Sequence, residues 1–242
     1  MILNGEALKA IIKHYVFYDR QCLRSILVFM GLAGLEIPVL FLPAFGKSPS
    51  LFLFIVSTLF SFAASFGILL TVAFVIQREK SEGSFRALRA LPISSETLFL
   101  GTVLAGVIAS ILAFLPPYVI ATIGLILLDG NVVLLQIYMG LVVFVMSLLF
   151  ASCTLTIALC VNSPTVLSYL LVGFPLLLSS ASMLMSLFEP KLRPLLESRL
   201  EELIRFISSF EGQILVSAIV VIFSLLILYT GSRIFSRKKS YV

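Results

Sequence analysis

Residues 77–101 read QREKSEGSFRALRALPISSETLFLG and make the longest polar break in an otherwise apolar first half of the chain. Arg78, Lys80, Arg86 and Arg89 carry positive charge there, and Glu79, Glu82 and Glu96 carry negative charge. Apolar runs of membrane length flank the break, 51–76 before it and 98–128 after it. An ion at the centre of a bilayer is costly, so this stretch belongs outside the hydrocarbon and the flanking runs inside it. Phe85, Leu88 and Leu91 recur at helical spacing, with Arg86 and Arg89 between them. Gly83-Ser84 marks a start or bend, and Leu91-Pro92 a stop. Ser94 or Ser95 is placed to cap the next helix, with Glu96 in its first turn. The stretch is therefore expected to hold one short amphipathic helix. Two readings of it stay open: an ordinary solvated loop, or a docking element with an apolar face.

Composition agrees with the flanking runs. The 242 residues are 60% hydrophobic and 12% charged, with a mean hydropathy of +1.15. Soluble domains do not have that balance, which makes the chain a polytopic membrane protein. A helical span needs about 20 apolar residues. Six runs qualify: 25–45, 51–76, 98–128, 132–161, 165–188 and 214–235. They are continuously apolar rather than alternating, which excludes a β-barrel. The expected fold is all-α, a single membrane domain over 1–242.

Lysine and arginine set the orientation. With both termini in the cytoplasm, twelve cations face inward (Lys9, Lys13, Arg20, Arg24, the four of the 77–97 loop, Arg233, Arg237, Lys238, Lys239) and five outward (Lys47, Lys191, Arg193, Arg199, Arg205). The opposite topology inverts the ratio. The expected location is the cell membrane, with both ends inside. The net charge of +5 is then charge facing membrane lipids, and it makes no case for nucleic acid.

Residues 3–20 are too polar to span. Leu8, Ile11, Ile12, Tyr15 and Tyr18 fall on one helical face and Lys9, Lys13 and Arg20 elsewhere, an amphipathic helix at the inner interface. The first span carries Glu36, which is either a pathway residue or a hydrogen-bonded carboxyl packed against a neighbour or near the outer interface. Pro116-Pro117 is expected to break or kink the third span. Asp129-Gly130-Asn131 and Asn162-Ser163-Pro164 read as tight turns. Ser147, Ser152, Thr154 and Thr156 make a polar patch on the fourth span that either glues helices together or lines a pathway. Residues 189–213 place Leu196, Leu200, Leu203, Ile207 and Phe210 on one face, an outer amphipathic helix.

Several chemistries are excluded. No G-x-x-x-x-G-K-[ST] loop is present, so the chain does not hold ATP in that way. His14, Asp19 and Asp129 are too scattered for a hydrolytic site in the membrane. Glu36 alone is too little for proton or sodium coupling. Cys22, Cys153 and Cys160 read as small apolar residues, and a lone His14 makes no metal cluster. The chain is not expected to be an enzyme, nor to bind a cofactor or metal itself.

The order of parts resembles the ABC-2 family of ABC exporter permeases. The family's loop pattern, R-E-x-x-x-G-[ST] and two helically spaced apolar positions followed by L-x-x-x-P, is matched by Arg78, Glu79, Glu82, Gly83, Ser84, Phe85, Leu88, Leu91 and Pro92. Phe85 stands where an aliphatic residue is usual, and Arg86 where an acidic one often follows. The resemblance implies that these nine residues couple the chain to a separate ATP-binding ABC subunit, with ATP and Mg on that partner. It also implies a second permease chain, identical or a sister, and export across the membrane. In its compact size the chain is also similar to the haem-exporter permease of cytochrome c maturation. A non-transporting membrane scaffold or assembly factor is the alternative from a different class.

Overall fold

An apolar run of membrane length has no water to satisfy its backbone, and the helix solves this by bonding every N–H and C=O within the segment. A computed structural model of the chain describes residues 5–33, 49–85, 88, 93–128, 133–161 and 210–237, and among these there is no strand. The helices are α1 (Gly5–Lys13), α2 (Arg20–Ala33), α3 (Pro49–Glu82), α4 (Ser95–Leu128), α5 (Val133–Cys160) and α6 (Phe210–Arg237), with a π-helical turn, His14–Tyr18, between α1 and α2. Four of them, α3 to α6, are long and apolar enough to cross a membrane. The protein is thus an all-α, multi-pass membrane protein.

Helix directions follow from side-chain contacts. Thr71 of α3 hydrogen-bonds Ser25 of α2 at 3.5 Å, and Gly67 lies against Phe29, so α2 and α3 are antiparallel. Ser65 meets Ser110 and Ser147, which places α4 and α5 beside the middle of α3. Phe66 and Phe62 pack edge-on against Phe150 at 5.0 and 5.9 Å. α6 is peripheral: 11% of its most apolar window is buried against 56% for α4. The ends of α3, α5 and α6 and the start of α4 come together at one end of the bundle, the end bearing Gln77–Glu82.

Three expectations change here. Residues 77–82 are not loop but the last turns of α3, which runs unbroken to Glu82. The polar residues there are held by other elements, so the helix has no reason to stop where the apolar run does. Pro116 and Pro117 sit inside a continuous α4, so the pair does not break the helix; in a bundle, neighbouring groups can satisfy the carbonyls that a proline frees. Tyr18 leaves the buried face assigned to it. The π turn adds a residue to the helical turn, so Tyr15 and Val16 both point inward while Phe17 and Tyr18 are 54% and 72% exposed.

Several expected features lie outside the described residues: Glu36, Leu91, Pro92, both tight turns, the span at 165–188 and the segment at 189–209. The 25–45 run is described only as far as Ala33.

Candidate functional site

The four residues Gln77-Arg78-Glu79-Lys80 are consecutive on a helix, so they point in four directions about 100° apart. At the charged end of the bundle each direction has a partner. Lys80 and Gln77, three residues apart on one face, turn to α5. The Lys80 ammonium donates to the carbonyls of Ala158, Leu159 and Val161 at 2.7, 2.7 and 3.0 Å. Gln77 Nε2 donates to the carbonyls of Ala158 and Val161 at 2.7 and 2.8 Å. The last carbonyls of a helix have no partner within it and carry its negative dipole end. A cation with three donors is the group that satisfies both needs at once.

Arg78 and Glu79 turn the other way, to the N-terminal segment. Arg78 Nη2 donates to Asp19 Oδ2 at 2.6 Å and Nη1 to Gln21 Oε1 at 2.9 Å. Asp19 is the N-cap of α2: its Oδ1 accepts the amides of Gln21 and Cys22, both at 2.9 Å. Burial pushes the Asp19 carboxyl up, but the hydrogen bonds from the Cys22 amide and the Arg78 guanidinium outweigh it and hold the group below its ordinary value. Glu79 is only 5% exposed. It accepts a hydrogen bond from His14 Nε2 at 2.6 Å and one from the Tyr15 hydroxyl at 2.7 Å. The bond to Glu79 raises the imidazole pKa of His14 above its usual value, against partial burial. Burial and the charge of Glu79 push the Tyr15 phenol well up, so it stays a donor.

The N-terminal segment is seated by shape as well as charge. Ile11 of α1 lies over Gly101 of α4, where an added Cβ would come within 3.0 Å of the isoleucine side chain. A glycine there lets α1 approach the first turns of α4. Ser94 caps α4 through the Thr97 amide at 3.1 Å.

Past the quartet, Gly83 takes φ +83° with open space where a Cβ would stand. The conformation, not crowding, calls for glycine there. It ends α3 and redirects the chain. Ser84, Phe85 and Leu88 resume helical backbone. Phe85 is 4% exposed; its ring meets Phe235 of α6 edge-on at 6.2 Å, and Lys80 Nζ stands 5.8 Å from its centroid. Phe235 in turn touches Phe99 of α4 at 5.8 Å. Phe85 therefore presents no area to a partner in this conformation, which departs from its expected place on an open apolar face. Leu88 is half-buried against the same core. Glu82 is the exposed member, 4.0 Å from Arg78. No family model matches the chain, and no curated protein does.

Of the polar residues expected on α5, Ser152 and Thr154 are buried. The Ser152 hydroxyl donates to the Leu148 carbonyl at 2.8 Å, and Thr156 packs against Gly231 of α6. The structure thus brings Arg78, Glu79, Glu82, Gly83, Ser84, Phe85 and Leu88 into one neighbourhood and leaves Ser152, Thr154 and Thr156 among helix contacts. Sequence reasoning missed Gln77, Lys80, Asp19, His14, Tyr15 and Phe235 as members. One signal was available: four consecutive polar residues closing a membrane-length helix cannot all face water once that helix sits in a bundle.

Proposed function

We propose that the chain is the permease subunit of an ATP-driven exporter of the ABC-2 kind, coupled through residues 77–97 to a separate ATP-binding subunit. ATP and Mg belong to that subunit. The observation that carries the proposal is the convergence at the quartet. Residues 77–85 touch the N-terminal segment, α5 and α6, and reach α4 through Phe235. A partner pressing on the short helix after Gly83 moves all of these elements together. In this scheme Phe85 transmits force to α6 rather than anchoring the partner. Leu88 and Glu82, on either side of Gly83, form the contact patch, an apolar anchor with a charged rim.

The proposal includes six spans with both termini in the cytoplasm. Two described features support it. α2 rises about 21 Å through the bundle from the charged end, antiparallel to α3. α5 ends at the charged end and α6 also runs toward it, so Val161 and Phe210 lie at opposite ends of the bundle. The apolar runs 25–45 and 165–188 supply the crossings this layout needs. A second permease chain completes the pathway.

The test is capture of an ATPase by the purified chain, with stimulated ATP turnover, in wild type and in Leu88→Asp and Glu82→Lys. Loss of the apolar anchor at Leu88 costs on the order of 2 kcal/mol in binding, and Glu82→Lys reverses the charge of the rim; both variants should insert normally and lose capture. Topology is checked by thiol labelling: cysteines at Ser81 and Ser236 should react only from the cytoplasm, and one at Ser198 only from outside. Normal insertion with undiminished capture and turnover removes the coupling role. The non-transporting scaffold then moves ahead, favoured by one observation already in hand: Arg78, Glu79, Lys80 and Phe85 are all engaged within the chain.

A further inference from the structure

The middle of the bundle holds a second polar feature, away from the charged end. Ser57, Ser61 and Ser65 stand four residues apart on α3, all buried, and make one row along the helix. At its inner end Ser65 shares hydrogen bonds with Ser110 of α4 and Ser147 of α5. Ser147 also bonds the Val143 carbonyl at 2.7 Å, so this end is satisfied by the protein. At the other end Ser57 donates to the Phe54 carbonyl at 3.1 Å, but Ser61 and Gln136 are not fully paired among the described residues. Gln136, at the start of α5, is 1% exposed and points its amide at the row, with Nε2 3.4 Å from Ser57 Oγ. Its Oε1 has no hydrogen-bond partner among the described residues, and neither does Ser61 Oγ, on a residue also 1% exposed. Exchanging the amide's oxygen and nitrogen only moves the unpaired atom. Buried amides and hydroxyls in an apolar bundle are not left unpaired; where the protein offers no partner, ordered water does.

We propose that Ser57, Ser61 and Gln136 line a water-filled pocket, entered from the end of the bundle opposite the quartet and closed at mid-depth by Ser65, Ser110 and Ser147. Ser57 and Ser65 are separated by about 12 Å along α3, and Ser65 and Gln77 by about 18 Å. The pocket therefore reaches roughly halfway through the apolar layer. Among the described residues the polar groups that line it are hydroxyls and one amide, which suit water or a neutral hydroxyl- or amide-bearing molecule better than an ion. This rests on the membrane build of the bundle and is independent of any ATPase docking at residues 77–97.

A thiol reacts through its thiolate, so the rate at which a thiosulfonate converts it to a mixed disulfide, releasing sulfinate, reports water at the sulfur. In a chain carrying Cys22→Ala, Cys153→Ala and Cys160→Ala, cysteines are introduced singly by Ser57→Cys, Ser61→Cys and Ala73→Cys. Ala73 is equally buried on α3 but lies beyond the hydroxyl cluster. The probe is 2-hydroxyethyl methanethiosulfonate, small and neutral. Ser57→Cys and Ser61→Cys should react at least about tenfold faster than Ala73→Cys, and Gln136→Leu should slow the reaction of Ser61→Cys. A Ser61→Cys rate no higher than that of Ala73→Cys means the row is dry and overturns the proposal. So does a Ser61→Cys rate that Gln136→Leu leaves unchanged.

Discussion

Removing one oxygen from Tyr15 tests whether the N-terminal segment is held by Glu79. In Tyr15→Phe the ring keeps its buried place and only the hydroxyl that donates to Glu79 Oε2 at 2.7 Å is lost. A hydrogen bond to a carboxylate contributes about 1.5–3 kcal/mol, and leaving a buried acceptor unpaired costs a similar amount. Taking about 2 kcal/mol, the open population of the segment should rise about 30-fold. Cys22 is the reporter. Its thiol is free and fully buried, and its amide is tied to Asp19, so alkylation requires the segment to lift from the bundle. With Cys153→Ala and Cys160→Ala removing other thiols, the alkylation rate of Cys22 is measured in wild type, Tyr15→Phe and the control Tyr18→Phe. Tyr18 is mostly exposed, so its variant should match wild type. A rate for Tyr15→Phe within twofold or so of wild type would refute the argument, because it lies far below the ratio that such a bond requires.

Further outcomes follow from the same neighbourhood. Gly83→Ala should lower thermal stability by about 1–2 kcal/mol, since φ +83° strains any residue with a Cβ; a melting point equal to wild type would show that the turn adapts. Lys80→Met removes the ammonium from the α5 carbonyls while keeping the aliphatic stem, and should raise hydrogen exchange in the last turn of α5, with no change expected at the start of α4. The raised pKa of His14 gives a pH dependence of known sign. The folded form binds the proton more tightly than the unfolded one, so the stabilisation is fully present below about pH 6.5 and is lost as pH rises through the folded value. Thermal melts of wild type should therefore fall in that range relative to His14→Gln, and parallel curves would show that His14 is not linked to folding.

The helical class and the apolar runs of the four described membrane-length helices were legible from sequence because they rest on local quantities. Hydropathy over about 20 residues decides whether a segment can sit in hydrocarbon. A glycine flanked by polar residues announces a turn wherever it occurs, as Gly83 does, and Ser94 announces a cap. Partner choice was not local. Glu79 meets residues 64 and 65 positions away, and Lys80 meets carbonyls 78 to 81 positions away. Nothing in a helical period distinguishes a charge bound for water from one bound for the end of a distant helix. The same holds for Phe85, whose spacing with Leu88 made an open face plausible, while Phe235, at the far end of the chain, turned it inward. Tyr18 shows the limit within a single element. A period of 3.6 put it on the buried side, and one extra residue in the π turn, fixed by Tyr15 and Val16 both finding room in the bundle, moved it out. Sequence marked the runs apolar enough to sit in hydrocarbon, four of which the described helices α3 to α6 carry, through transfer energies that each segment holds alone. Tertiary structure decided which polar groups pair, because pairing depends on distances that exist only once the helices have packed.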